Sequence, residues 1–280
     1  MLSFIFSPFL CPLFGISKNA VPAVVAGFIG GFPGGAAYAA KLYAEGKISK
    51  SEAERLPVFS NNAGLMFTAG ALGIGHFSSF KAGFMLYAFH IFSSVIAGIL
   101  TRPRMINTIY KKTYSLSSSD ISFSEVFPAV LKESIFSMAL ICGNFIIFKV
   151  ICEFFYVLAG KSTAVLFLTG LLEVTGGVLS MPLSKEGLIL ASFLLSFNGL
   201  CVHMQSMSFF APLKLSVKKH FCGKIFSAFL SAFLMYITLP GNILQNKTLP
   251  SALFYIFAII IPTTFLIPAV LKKAKASVKN

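Results

Sequence analysis

Glu173 is the side chain whose chemistry stands out most. It lies between two apolar arms, in the run Glu173-Val174-Thr175-Gly176-Gly177. An ionisable group at such a place is by default a functional hypothesis: it can bind a solute hydroxyl or amine, hold a coupling cation, or carry a proton. Asn61 and Asn62 break a second apolar stretch and Asn198 a third. Their amides give and accept hydrogen bonds without carrying charge. Pro33 and Gly34 sit in the middle of a fourth apolar run, and Thr175 follows Glu173. His203 and Gln205 come just after the Asn198 break and can line the same cavity. Structural readings compete with each of these. Glu173 can lie at the interface or pair with a lysine, the asparagines can be satisfied locally, and His203 can be an ordinary helix residue. The glycines also fit small-xxx-small helix packing, as in Gly27-x-x-x-Gly31.

Covalent chemistry finds no support. Asp120 is the chain's single aspartate, so a two-aspartate intramembrane protease is excluded, and there is no HExxH zinc site. Gly160-Lys161-Ser162 resembles the end of a phosphate loop, but Phe155 stands where that motif requires glycine. No serine nucleophile elbow is present. The five cysteines form no CxxC pair and read as packed thiols. The expectation is a protein that is no enzyme and needs no metal or cofactor, with a coupling ion (sodium or proton) left open.

The elements that must hold these residues belong in a bilayer. Hydrophobic residues make up 56% of the chain and charged ones 11%, with mean hydropathy +0.83. Soluble proteins carry about 25% charged residues, so a soluble globule of 280 residues is ruled out. The net charge of +14 falls in short clusters at 41–55, 102–112, 214–224 and 272–279. Nucleic-acid grooves need a continuous basic face, whereas clusters separated by membrane-length runs read as cytoplasmic loops. The expected partners are the lipid bilayer and a small-molecule solute, with no nucleic acid; a homo-oligomer stays open.

Along the chain, residues 1–16 are apolar but interrupted by Pro8 and Pro12, and they lack a signal peptide's positive start and cleavage site. Residues 20–40 are long enough to span, yet 30–35 reads Gly-Gly-Phe-Pro-Gly-Gly, which predicts a re-entrant hairpin. Ser51-x-x-Glu54 predicts a capping box that starts a helix running to Ser60 and the Asn61–Gly64 break. Full spans are predicted at 82–100 and 127–148. Then the pattern returns: a hairpin at 162–183 centred on Glu173, and a span at 187–210 broken at Asn198-Gly199. Spans at 225–239 and within 250–271 close the chain. Lys149 and Glu153 read as a local ion pair, Lys132 and Glu133 as snorkelling side chains, and His76, His90 and His220 as structural.

One unit thus occurs twice within a single transmembrane domain, repeat one at about 20–100 and repeat two at about 162–239. Asn62 and Asn198 are 136 residues apart, and Gly34 and Gly176 are 142 apart. An odd number of crossings between the copies predicts an inverted repeat, a design shared by many secondary transporters. With the 41–55 loop inside, all four basic clusters and the C-terminus fall on the cytoplasmic side, which puts sixteen of the 23 Lys/Arg there.

The runs Gly31-Phe32-Pro33-Gly34-Gly35, Leu42 to Lys50, Glu52 to Arg55 and Ser60-Asn61-Asn62-Ala63-Gly64 resemble the nucleoside-recognition (Gate) domain family, and its YlbJ-like sporulation integral membrane branch in particular. The second copy, Leu172 to Gly177 with Ser196 to Gln205, resembles that branch too. The chain is shorter than such proteins usually are, by spans expected at the N-terminus. The resemblance implies an all-α polytopic membrane protein of re-entrant hairpins and broken transmembrane helices, similar to concentrative nucleoside transporters. It implies a solute site lined by Pro33, Gly34, Asn61, Asn62, Glu173, Thr175, Asn198 and Gln205, in a bacterial inner (cell or forespore) membrane. The expected function is a secondary transporter or permease for a small polar or anionic solute, nucleoside-like or dipicolinate-like, in sporulation. The alternative is a non-transporting membrane scaffold needed for spore assembly.

Overall fold

A polar group facing hydrocarbon must find its partner inside the protein, so apolar runs of this length fold as helices. The computed structural model describes residues 2–103 and 123–239, and every regular element in them is helical. The span expected within 250–271, the lysine tail and most of the 102–112 cluster lie outside the described residues.

Helix α1, Leu2–Phe14, keeps both Pro8 and Pro12 inside it. It meets the following helix at 110°, so the two form one bent pair. Helices α2 (Val21–Gly30) and α3 (Gly34–Ala44) are the two arms of a hairpin that turns at Gly31. The short helices α4 (Lys50–Arg55) and α5 (Pro57–Ser60) lead to the break at Asn61. Residues Met66–His76 then wind as a π-helix, and α6 (Phe80–Leu100) crosses back. Helix α7 runs over Phe123–Ala159, and α8 (Thr163–Leu172) and α9 (Val174–Val178) fold back on each other around Glu173. Helices α10 (Lys185–Phe197) and α11 (Gly199–Phe210) are one span broken at Asn198, and α12 (Lys218–Thr238) follows. Among the described residues, four helical stretches are long and apolar enough to cross a bilayer: 80–100, 130–159, 185–213 and 218–238. The bent pair over 5–30 is a fifth candidate.

Several sequence expectations shift. The helix start near residue 50 is capped by Ser49, whose Oγ accepts from Glu52 N at 3.2 Å, and not by Ser51. Glu54 instead accepts from Ser216 N at 3.0 Å and faces Lys219 at 3.4 Å, tying α4 to the start of α12. Helix α7 continues eleven residues past 148 and carries Lys149 and Glu153 one turn apart, with Nζ and Oε1 3.9 Å from each other. Glu133 does not simply snorkel. It pairs with Lys41 at 2.7 Å and so fastens α7 to the first hairpin.

The basic clusters are not wholly surface either. Arg55 is buried and its Nη2 donates to the Gly15 carbonyl at 2.9 Å. Lys224 is completely buried. Most of α7 faces outward with large apolar side chains such as Phe136, Ile146 and Phe154, whereas α10 with α11 is the most enclosed span. Helices α6 and α12 turn the opposite way round from a soluble amphipathic helix. Their polar residues, His90, Ser93 and Ser94 on α6 and His220, Lys224, Ser227 and Ser231 on α12, recur at helical spacing and are all buried.

Candidate functional site

The four breaks touch one another in sequence. Gly31 turns the first hairpin at φ +77°, and a Cβ there would stand 3.1 Å from Gly64 N, so only glycine lets that tip meet the first broken span. Asn198 lies at φ +75° and its Nδ2 donates to the Asn61 carbonyl at 2.8 Å, which joins the two broken spans. Gly199, at φ +66°, brings the second break against the second hairpin, where a Cβ would stand 3.0 Å from Val174 N. Pro33 and Gly34 therefore lie at one end of this row and Glu173 with Thr175 at the other. Phe32 packs onto the apolar cluster that also holds Val174, so both hairpins share one core.

Each predicted residue has a definite place. Glu173 is 2% exposed and caps α9: its two carboxylate oxygens accept from Thr175 N at 2.6 Å and Gly176 N at 2.7 Å. Charge-assisted bonds to two helix-start amides account for a carboxylate at this depth. Lys149 stands over the same tip, since a Cβ on Gly176 would lie 2.7 Å from its Nζ. Thr175 contributes its backbone to this cap and is partly exposed. Pro33 is buried, whereas Gly34 is half-buried and faces Ala26 of its own hairpin.

Asn62 is saturated. Its Nδ2 donates to the Phe59 carbonyl at 2.7 Å, and its Oδ1 accepts from Ser94 Oγ at 2.7 Å and from Lys224 Nζ at 2.9 Å. Lys224 Nζ also lies 3.2 Å from Ser94 Oγ, and among the described residues no carboxylate comes within 4.0 Å of it. His90 serves the next residue: Ala63 N donates to its Nε2 at 2.9 Å, so Nδ1 carries the proton of the neutral ring and meets Ser196 Oγ at 3.1 Å. These side chains pin the first break to α6, α10 and α12.

Other buried polar atoms are left over. Asn61 Oδ1, Asn198 Oδ1, His203 Nδ1, His220 Nδ1 and Gln205 Oε1 have no hydrogen-bond partner among the described residues. Four of these five residues adjoin one another. Asn61 Nδ2 reaches Ser206 Oγ at 3.2 Å and His220 Nε2 at 3.5 Å, and the His203 and His220 rings lie 4.7 Å apart. His203 Nε2 meets the Phe197 carbonyl at 3.0 Å, which can only accept; Nδ1 of the neutral ring is therefore a free acceptor. His220 Nε2 accepts from Asn61, leaving Nδ1–H as a free donor. Unpaired buried polar atoms cost about 1–3 kcal/mol each, so a group of them is a place where a polar guest is stabilised. Gln205 lies round the helix from His203: its Nε2 faces Cys201 Sγ at 3.5 Å, one turn back.

His220, a member of this group, and Lys224, which holds the first break beside it, escape a reading that assigns them to a structural position and to a surface basic cluster. A signal was present in the sequence. Residues 220, 224, 227 and 231 are polar at i, i+4, i+7 and i+11 within an apolar run, and in a membrane helix such a stripe faces the protein interior.

Apolar spanning helices enclosing a buried polar seam define a multi-pass helical membrane protein. Its chain is similar to the sporulation integral membrane protein YlbJ of Bacillus subtilis strain 168, being 24% identical over 274 residues, which covers 83% of this chain and 67% of that protein. This match supports the YlbJ-like branch of the resemblance. No protein-family model and no solved structure matches the chain.

Proposed function

We propose that this protein is a permease that moves a small polar solute across a membrane of the sporulating cell. The observation that carries the reading is the group of unpartnered polar atoms on Asn61, Asn198, His203 and His220, fully or nearly fully buried where two helix breaks meet. Broken spans in corresponding halves of a chain are the usual construction of a solute site in secondary transporters. The order of elements fits an inverted repeat, with α2–α3, the first broken span and α6 answering to α8–α9, the second broken span and α12. The relative is described as a sporulation integral membrane protein, which supports a setting in sporulation, and we take the solute to be small and polar or anionic, dipicolinate-like or nucleoside-like.

One observation favours the second reading, a membrane scaffold in spore assembly: the Glu173 carboxylate and the Asn62 amide are both satisfied by the protein itself. Uptake by proteoliposomes separates the two. With labelled dipicolinate and labelled uridine as probes, the permease reading expects saturable uptake of one of them, lost in Asn198→Ala and His203→Ala at unchanged protein incorporation. Uptake no faster than in empty liposomes for either probe favours the scaffold.

A further inference from the structure

We propose that the Lys224 ammonium is the protein's built-in coupling cation, so that solute movement is tied to loading and release of a proton on Nζ and not to sodium. The proposal rests on the permease reading and adds to it the energy source.

The geometry is unusual for a lysine. The Lys224 backbone lies six residues past the start of α12, about 9 Å along the helix axis, and its side chain is fully buried. Its partners are both neutral oxygens, Asn62 Oδ1 at 2.9 Å and Ser94 Oγ at 3.2 Å. A structural buried lysine is normally paired with a carboxylate, because an ammonium taken out of water alone is costly. Among the described residues, the groups facing it from the elements packed around α12 do not supply one. Helix α6 presents neutral His90, α11 presents His203, and α12 itself presents His220, all within electrostatic reach of the ammonium. On α4, Glu54 is held by Lys219 and the Ser216 amide, and Arg55 by the Gly15 carbonyl. Glu173 is committed to capping α9. Oxygens at an unwound helix are what hold the coupling cation in many transporters. Here a side chain of the protein occupies that position.

The step balances simply. A proton from water on one side converts the amine to ammonium, which Asn62 Oδ1 and Ser94 Oγ then hold by accepting from it. When the break opens to the other side the proton returns to water, and the neutral amine accepts from the Ser94 hydroxyl instead. Because Asn62 belongs to the first break, the two states of Nζ pull differently on the segment that adjoins the solute pocket.

The test uses the full chain in proteoliposomes, with whichever of dipicolinate or uridine the wild type moves. A one-unit pH gradient should drive about ten-fold accumulation if one proton travels with each solute, and a sodium gradient alone should drive none. Lys224→Met should lose that accumulation while retaining solute exchange at equal pH on both sides. Lys224→Arg retains the charge but cannot release its proton, and should share the phenotype of Lys224→Met. Sodium-driven accumulation by the wild type overturns the proposal, as does pH-driven accumulation by either variant. Loss of exchange together with accumulation also overturns it, by assigning Lys224 to solute binding or to the fold. If both variants fail to fold, a wild type that accumulates solute on a sodium gradient, or fails to do so on a pH gradient, still overturns the proposal. A wild type that moves neither probe refutes the permease reading and this proposal with it.

Discussion

Asn198 carries two separable burdens, and substituting it three ways should reveal both. Its backbone is left-handed at φ +75°, and its Nδ2 is the donor to the Asn61 carbonyl at 2.8 Å. Asn198→Gly tolerates the backbone but removes the donor, leaving a buried carbonyl unpaired at about 1–3 kcal/mol. Asn198→Ala removes the same donor and also forces a β-carbon into the left-handed region, adding roughly 1–2 kcal/mol. Asn198→Asp keeps the left-handed tolerance but points a carboxylate at a carbonyl oxygen in a fully buried position, at a cost of several kcal/mol. Thermal unfolding in detergent, followed by the helical signal in the far ultraviolet, should rank the variants wild type, Gly, Ala, Asp in falling midpoint. If Gly and Ala melt together, the left-handed backbone carries no strain. If all three melt with the wild type, the bond between the two breaks does not hold the molecule together, and the seam described above is wrong.

Other perturbations are smaller in scope. His90→Leu removes the acceptor of Ala63 N and the partner of Ser196 Oγ together; a loss of about 2–5 kcal/mol is expected, seen as a sharp fall in folded protein recovered from membranes. Glu173→Gln replaces two carboxylate oxygens by one carbonyl, so one of the bonds to Thr175 N and Gly176 N is lost and the melting midpoint should fall by an amount equivalent to about 1.5–3 kcal/mol. Lys41→Glu should weaken the docking of α7 by less than about 1 kcal/mol, since both partners of the Lys41–Glu133 pair are exposed, and the double swap with Glu133→Lys should restore it.

Much of this architecture is legible because breaks in a membrane helix need special residues. The Gly-Gly-Phe-Pro-Gly-Gly run, the Asn61–Gly64 cluster and Asn198-Gly199 each fall where the structure turns or unwinds, and Glu173 falls at the joint of α8 and α9. Lys224 was hidden by its company. Lys214, Lys218 and Lys219 are exposed, and charge counting along the sequence cannot see that one further turn carries the last lysine inside. The cap at Ser49 is not legible because Ser49 and Ser51 offer the same spacing to Glu52 and Glu54, and the contacts of Glu54 with Ser216 and Lys219 lie far away in sequence. The joining of the two breaks through Asn198 and Asn61 is likewise a contact across 137 residues, which pattern alone does not reveal.

The most direct measurement concerns water. In a chain with its five native cysteines replaced, a single cysteine at position 61, 198 or 203 is exposed to a charged, membrane-impermeant thiol reagent in sealed vesicles, beside controls at the outward-facing positions 146 and 154. A polar seam that opens to solvent predicts labelling at 61, 198 and 203, slowed by the transported solute, and none at the controls. Thiols at all three seam positions that stay unlabelled from both sides would contradict a solute pathway through these breaks.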